Sequence, residues 1–345
     1  MKSLTTLVLL LLAVHAAPAA VHGAPAAEPS AAASPAISDP PRDVAHPARN
    51  RQLVIPSGPV VPALGRFAEM NALFLLAAGE GPKPTMILLH GLPGNERNLD
   101  LAQAVRRAGW NVLTFTYRGA WGSEGSFSIQ HAIEDAMAAL GFLRSPQAQL
   151  DYGVDPGRIV IAGHSMGGYI AAHVAARDRL GCAESASARP ATAPRIEGAR
   201  IARSPCVSPP LAGIVLLDAW NIGRDAAAVR AGGEQGRAAF VAALDDLGHA
   251  LGPVTADDLY QELVRSGDEW QLAAHAPALA RLPILTISAT DGNAEEIRAL
   301  AGTIRAAPGA RVQVVELETD HSFADKRVTL AEEVVGWLQQ GPPSR

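Results

Sequence analysis

Six short runs of consecutive apolar residues, separated by helix-like stretches, constrain this chain more than any other feature. They cover residues 86–89, 111–115, 158–162, 213–217, 284–288 and 312–317, and Gly, Pro, Asp or Asn bounds each one. An uninterrupted apolar run is what a strand needs when both faces of its sheet are covered. A further run at 72–77 suits a strand nearer the sheet edge. Helical patterns lie between the strands, at 99–108, 129–143, 166–176, 295–306 and 326–338. This alternation predicts βαβ units and an α/β domain: a mostly parallel sheet with helices on both faces.

With 345 residues, 48% of them hydrophobic, the chain is long enough to bury a large core without help from disulfides or metal. Its net charge of −5 argues against a nucleic-acid partner, which would select a basic face. The first 51 residues stand apart. Lys2, an apolar run over 7–14 and small residues to Ala20 have the layout of an export signal, assigned to residues 1–23. Residues 24–51, rich in Ala and Pro, read as a linker, and the folded domain is expected over 52–342. Elsewhere no apolar run reaches the ~20 residues of a membrane span, so no stable anchor is expected. The product would be periplasmic or secreted. In an oxidising compartment Cys182 and Cys206, the only two cysteines, are expected to form a disulfide closing the loop 182–206.

Residues 219–282 break the alternation. They hold helix-like stretches and no strand candidate, and are too long for an ordinary connection, so a lid or cap insertion is expected there. The segment has more Asp and Glu than Arg, which suggests that it disfavours anionic substrates.

The chemistry gathers at a few places. Gly163-His164-Ser165-Met166-Gly167-Gly168 follows the run at 158–162 and opens a helical pattern. G-x-S-x-G between a strand and a helix is a nucleophile elbow, in which glycines clear the space around a serine on a strained turn. His164 is expected to point away from the site. Ser165 needs a base, and His321 follows the strand pattern at 312–317, at the strand end where parallel sheets place reacting groups. Two carboxylates could orient it: Asp291, after the run at 284–288, and Asp218, after the run at 213–217. Asp291 is the preferred reading and Asp218 the alternative. Backbone N–H groups of Met166 and of Leu92, in His90-Gly91-Leu92-Pro93-Gly94, are candidates for binding an oxyanion. No pattern for metal, nucleotide or flavin occurs, and no cofactor is expected.

Taken together, His90-Gly91 with Gly94, the segment Tyr117 to Gly125, the elbow, Asp291 and Asp320-His321-Ser322-Phe323 resemble the α/β-hydrolase-fold serine hydrolases in kind and order. The elbow with Tyr169 is also similar to prolyl-oligopeptidase-like peptidases. The resemblance implies acyl transfer by a Ser-His-Asp triad on a small-molecule carboxylic ester. The alternatives are a peptidase of prolyl-oligopeptidase-like or aminopeptidase type acting on short peptides, and a catalytically silent binding domain.

Overall fold

The computed structural model describes residues 38–187, 209–244 and 249–340, except the side chains of 180–187. The assignments to residues 1–23 and the Cys182–Cys206 pairing lie outside the described residues.

Eight strands form one sheet: β1 (Arg49–Val61), β2 (Arg66–Leu76), β3 (Lys83–Leu89), β4 (Asn111–Phe115), β5 (Val154–His164), β6 (Gly213–Leu217), β7 (Pro283–Asp291) and β8 (Arg311–Asp320). Their order across the sheet is β1-β2-β4-β3-β5-β6-β7-β8. β1/β2 and β2/β4 are antiparallel, and the other neighbours run parallel. The parallel strands are long apolar runs because successive side chains feed two different cores. Ile87, Leu89, Ile161 and Leu216 enter one, with α2 (Ile129–Arg144) and α4 (Met166–Ser187). Met86, Leu88, Val160 and Leu217 enter the other, with α1 (Leu99–Arg107) and α10 (Arg327–Gln339). Two further helices accompany the core, α3 (Pro146–Tyr152) and α9 (Ala294–Arg305).

The folded domain begins earlier than expected. β1 starts at Arg49, inside the span read as linker, and pairs with β2 along most of its length.

The segment between β6 and β7 is helical: α5 (Ile222–Ala231), α6 (Gly233–Leu244), α7 (Ala256–Ser266), two short 3₁₀ turns and α8 (Ala276–Leu279). It is tied to the core by specific bonds. Both carboxylate oxygens of the buried Glu262 accept from the Ile129 and Gln130 N–H groups at the start of α2, at 2.9 Å each. A helix start leaves N–H groups without intrahelical acceptors, and here the insertion supplies them. Gly252 N–H donates to the Gly119 carbonyl at 2.7 Å, and Trp121 N–H to the Ala250 carbonyl at 2.9 Å. Glu262→Ala strands the buried Ile129 N–H and the partly buried Gln130 N–H and is expected to cost about 1–3 kcal/mol, read as a lower urea midpoint.

Candidate active site

β5 ends at His164, and Ser165 then takes a left-handed conformation, φ 56°. Its N–H donates to the Leu217 carbonyl at 3.0 Å, and its carbonyl accepts from Trp220 N–H at 2.9 Å. The elbow has no room for extra carbons. A Cβ at Gly163 would meet the Gly167 carbonyl oxygen at 2.0 Å, and one at Gly168 would meet the Ala219 Cβ at 2.6 Å. Gly91 lies against the serine: a Cβ there would sit 3.0 Å from the Ser165 Cβ. The loop carrying Leu92 thus passes beside the serine, while Met166 begins α4, where a first-turn N–H has no intrahelical partner.

His321 follows β8. Its Nδ1 lies 2.5 Å from Asp218 Oδ2. The sequence expectation that Asp291 orients this histidine is corrected: Asp291 is exposed at the end of β7, and Asp218, fully buried at the end of β6, is the carboxylate that His321 faces. A carboxylate accepts, so Nδ1 carries the proton and Nε2 is left with a free lone pair.

Asp218 is held from several sides. Its carboxylate accepts from the N–H of Ala289 at 3.1 Å and of Asn293 at 3.0 Å, while the Asn293 side-chain amide donates to the Asp218 carbonyl at 3.0 Å. Gly292 admits the carboxylate, since a Cβ there would fall 2.1 Å from Oδ2. Asn293 and Gly292 are site residues that the sequence reading did not identify. Asp218 and Phe323 also adopt left-handed φ, 42° and 57°, conformations that cost non-glycine residues energy and cluster where surroundings over-determine them.

His164 does not point away. Its Nε2–H donates to the His321 carbonyl at 2.8 Å, and the two rings are in contact, centroids 4.7 Å apart and planes tilted by 37°. It is a buried positioning residue for the loop that carries His321. Burial lowers its pKa to about 3, and lowers His90 and His275 to about 4. All three are neutral in the folded protein and gain protons on unfolding below pH ~6.5. Because the folded pKa values are depressed, the stability they contribute is complete above pH ~6.5 and is lost as pH falls. For each histidine the expected slope rises from about 0.7 kcal/mol per pH unit at pH 6.5 towards about 1.3 near pH 5, measured from urea midpoints across that range.

A family model described as the alpha/beta hydrolase family matches residues 86–333. An uncharacterized protein of Mycobacterium tuberculosis is 32% identical over 133 residues, 38% of this chain and 46% of that protein. The match therefore spans about half the length of that curated relative. Est1E from Butyrivibrio proteoclasticus, solved with ferulic acid bound, superposes with a TM-score of 0.54 at 15% identity, covering 84% of this chain and 98% of that one. EstE1, a thermophilic carboxylesterase cloned from a metagenomic library, gives 0.53 at 18% identity, covering 90% and 92%. At such identities the likeness is one of fold.

Proposed function

The chain belongs to the alpha/beta hydrolase family, and from that premise we propose that it is an exported serine hydrolase of carboxylic esters. The observation that carries the reading is the His321–Asp218 contact, set on the same sheet edge as a serine on a left-handed elbow. In this mechanism Ser165 Oγ attacks the ester carbonyl carbon while His321 Nε2 takes the hydroxyl proton. Asp218 keeps the proton on Nδ1 and stabilises the imidazolium that forms. The developing oxyanion accepts from the backbone N–H groups of Met166 and Leu92. His321 returns its proton to the departing alcohol oxygen. Water, deprotonated by the same imidazole, then hydrolyses the acyl-serine.

The carboxylesterase named among the structural neighbours supports an ester as the bond cleaved. Residues 1–23 serve as the export signal, and residues 219–282 as a cap over the site.

A fluorophosphonate probe is expected to label the wild-type protein and not Ser165→Ala, with ester hydrolysis lost in the same variant. Labelling that persists in Ser165→Ala overturns the proposal. A panel of p-nitrophenyl esters beside peptidyl anilides tests the bond type, and turnover confined to the anilides would replace the esterase reading with a peptidase.

A further inference from the structure

The acidic excess of the insertion suggested that anionic substrates are disfavoured, but six of its carboxylates are occupied where they stand. Asp225 pairs with Arg224, Glu234 and Asp257 with Arg237, and Asp268 with Arg230. Asp258 caps its own helix through Thr255, and Glu262 is bonded to α2. An arginine on the loop beside the serine carries the opposite sign.

Arg97 lies three residues beyond Gly94, on the loop whose Gly91 touches Ser165. Its Nε–H donates to the Gly94 carbonyl at 3.0 Å, and its guanidinium sits over the Trp121 ring, 5.2 Å from the centroid. Neighbouring arginines have carboxylate partners: Arg118 has Asp135, and Arg327 has Asp100. Among the described residues Arg97 forms no ion pair, and burial alone lowers its pKa, with no carboxylate acting in the other direction. A half-buried cation in that state has terminal N–H donors free for an anion, in the planar arrangement that matches a carboxylate.

The platform beneath it is built. Trp121 holds a left-handed φ of 48°, its N–H donates to the Ala250 carbonyl at 2.9 Å, and its indole N–H donates to the Pro93 carbonyl at 2.8 Å. His249 meets the same ring edge-on, at 6.0 Å between centroids. Two other chain segments thus fix the ring on which the guanidinium rests, and one of them is the loop that carries Leu92. An aromatic face under a guanidinium restrains it while leaving its edge open to ligand.

We propose that Arg97, seated on Trp121, is an anion subsite beside the serine, and that the substrate is an ester bearing a carboxylate. This rests on the serine-hydrolase reading given above. Arg97 pairs with the substrate carboxylate while Ser165 works on the ester bond, and that carboxylate is unchanged through the reaction.

Two matched pairs test it: mono-p-nitrophenyl glutarate against p-nitrophenyl pentanoate, and 4-acetoxybenzoate against its methyl ester. The wild-type protein is expected to favour the anionic member of at least one pair by kcat/KM. Arg97→Gln is expected to lower that anionic-to-neutral ratio about tenfold or more, the loss of a charge-assisted pair, and Arg97→Lys to recover part of it. Equal activity on both members of each pair, or a ratio unmoved by Arg97→Gln, overturns the subsite. Equal losses on both members do so as well, because they make Arg97 a structural staple. Binding of glutarate by Ser165→Ala protein, followed by calorimetry, separates the two proposals. Binding that disappears on adding Arg97→Gln supports the subsite even if no ester is turned over, and binding that survives removes it even if esters are.

Discussion

Asp218→Asn is expected to lower kcat about 10³- to 10⁴-fold with little change in fold, while Asp291→Asn leaves it within about twofold. The amide can donate where the carboxylate accepts, so it favours the His321 tautomer protonated on Nε2 and removes the lone pair that takes the serine proton. The cage around Asp218, made of Ala289 N–H and Asn293, persists around the amide oxygen, so thermal stability is expected to fall far less than activity. Asp291 is exposed, and its backbone pairing with Asp320 does not depend on its side chain. Steady-state kinetics on one ester for the two variants decides between the carboxylates. A large loss in Asp291→Asn with an active Asp218→Asn would reverse the assignment.

The second large effect is on stability. Asp135 is fully buried on α2 and accepts from the Ser57 hydroxyl at 2.6 Å, Arg118 N–H at 2.7 Å and Arg118 Nε–H at 2.5 Å. It joins β1, α2 and the loop after β4 at one point. Asp135→Ala leaves the Arg118 guanidinium buried with only the half-exposed Glu134 as a carboxylate partner, and strands the Ser57 hydroxyl. Removing one partner of a buried pair costs about 3–5 kcal/mol, which corresponds to a fall in Tm of roughly 10 °C. Thermal denaturation followed by circular dichroism measures it, and a shift under a few degrees would mean that the pair contributes little. Because Trp121 follows Arg118 on the same loop, the variant is also expected to weaken substrate binding below its melting range.

Elements buried on both faces were legible in the sequence, since continuous apolar runs such as Gly213–Leu217 and Asn111–Phe115 leave few alternatives. β1 was not. Its first residues, Arg49 to Arg51, fall in the span assigned to linker, and its Ser57-Gly58-Pro59 breaks the strand pattern and in the fold lies at a bulge in the pairing with β2. Gly58 takes φ 73° there, and no side chain fits because a Cβ would overlap the Arg118 guanidinium. The cause lies sixty residues away in the chain, beyond the reach of any local pattern. The choice of acid failed for a related reason. Asp218 and Asp291 both lie between Ser165 and His321, so chain order cannot separate them. A local signal was nevertheless present: Asp291-Gly292-Asn293 is a turn sequence, where a carboxylate faces water, whereas Asp218 directly abuts an apolar run. His164 was misread because a motif gives the spacing of residues and not the direction of a ring. The serine and the histidine needed less, since the elbow and a strand-end histidine are each marked by their immediate neighbours.

The root of the insertion bears on how such a protein can diversify. Leu217 receives the serine's N–H, Asp218 receives His321, and Trp220 N–H returns to the serine's carbonyl, all within four consecutive residues. Asn221 then caps α5 and accepts from Leu272 N–H across the base of the segment. A splice made before Asn221 would disturb nucleophile and acid together, while an exchange bounded by Ile222 and Gln271 leaves both seats untouched. Recombination that trades one specificity for another is thus confined to the interior of the segment. Its two ends are as constrained as the reacting groups themselves.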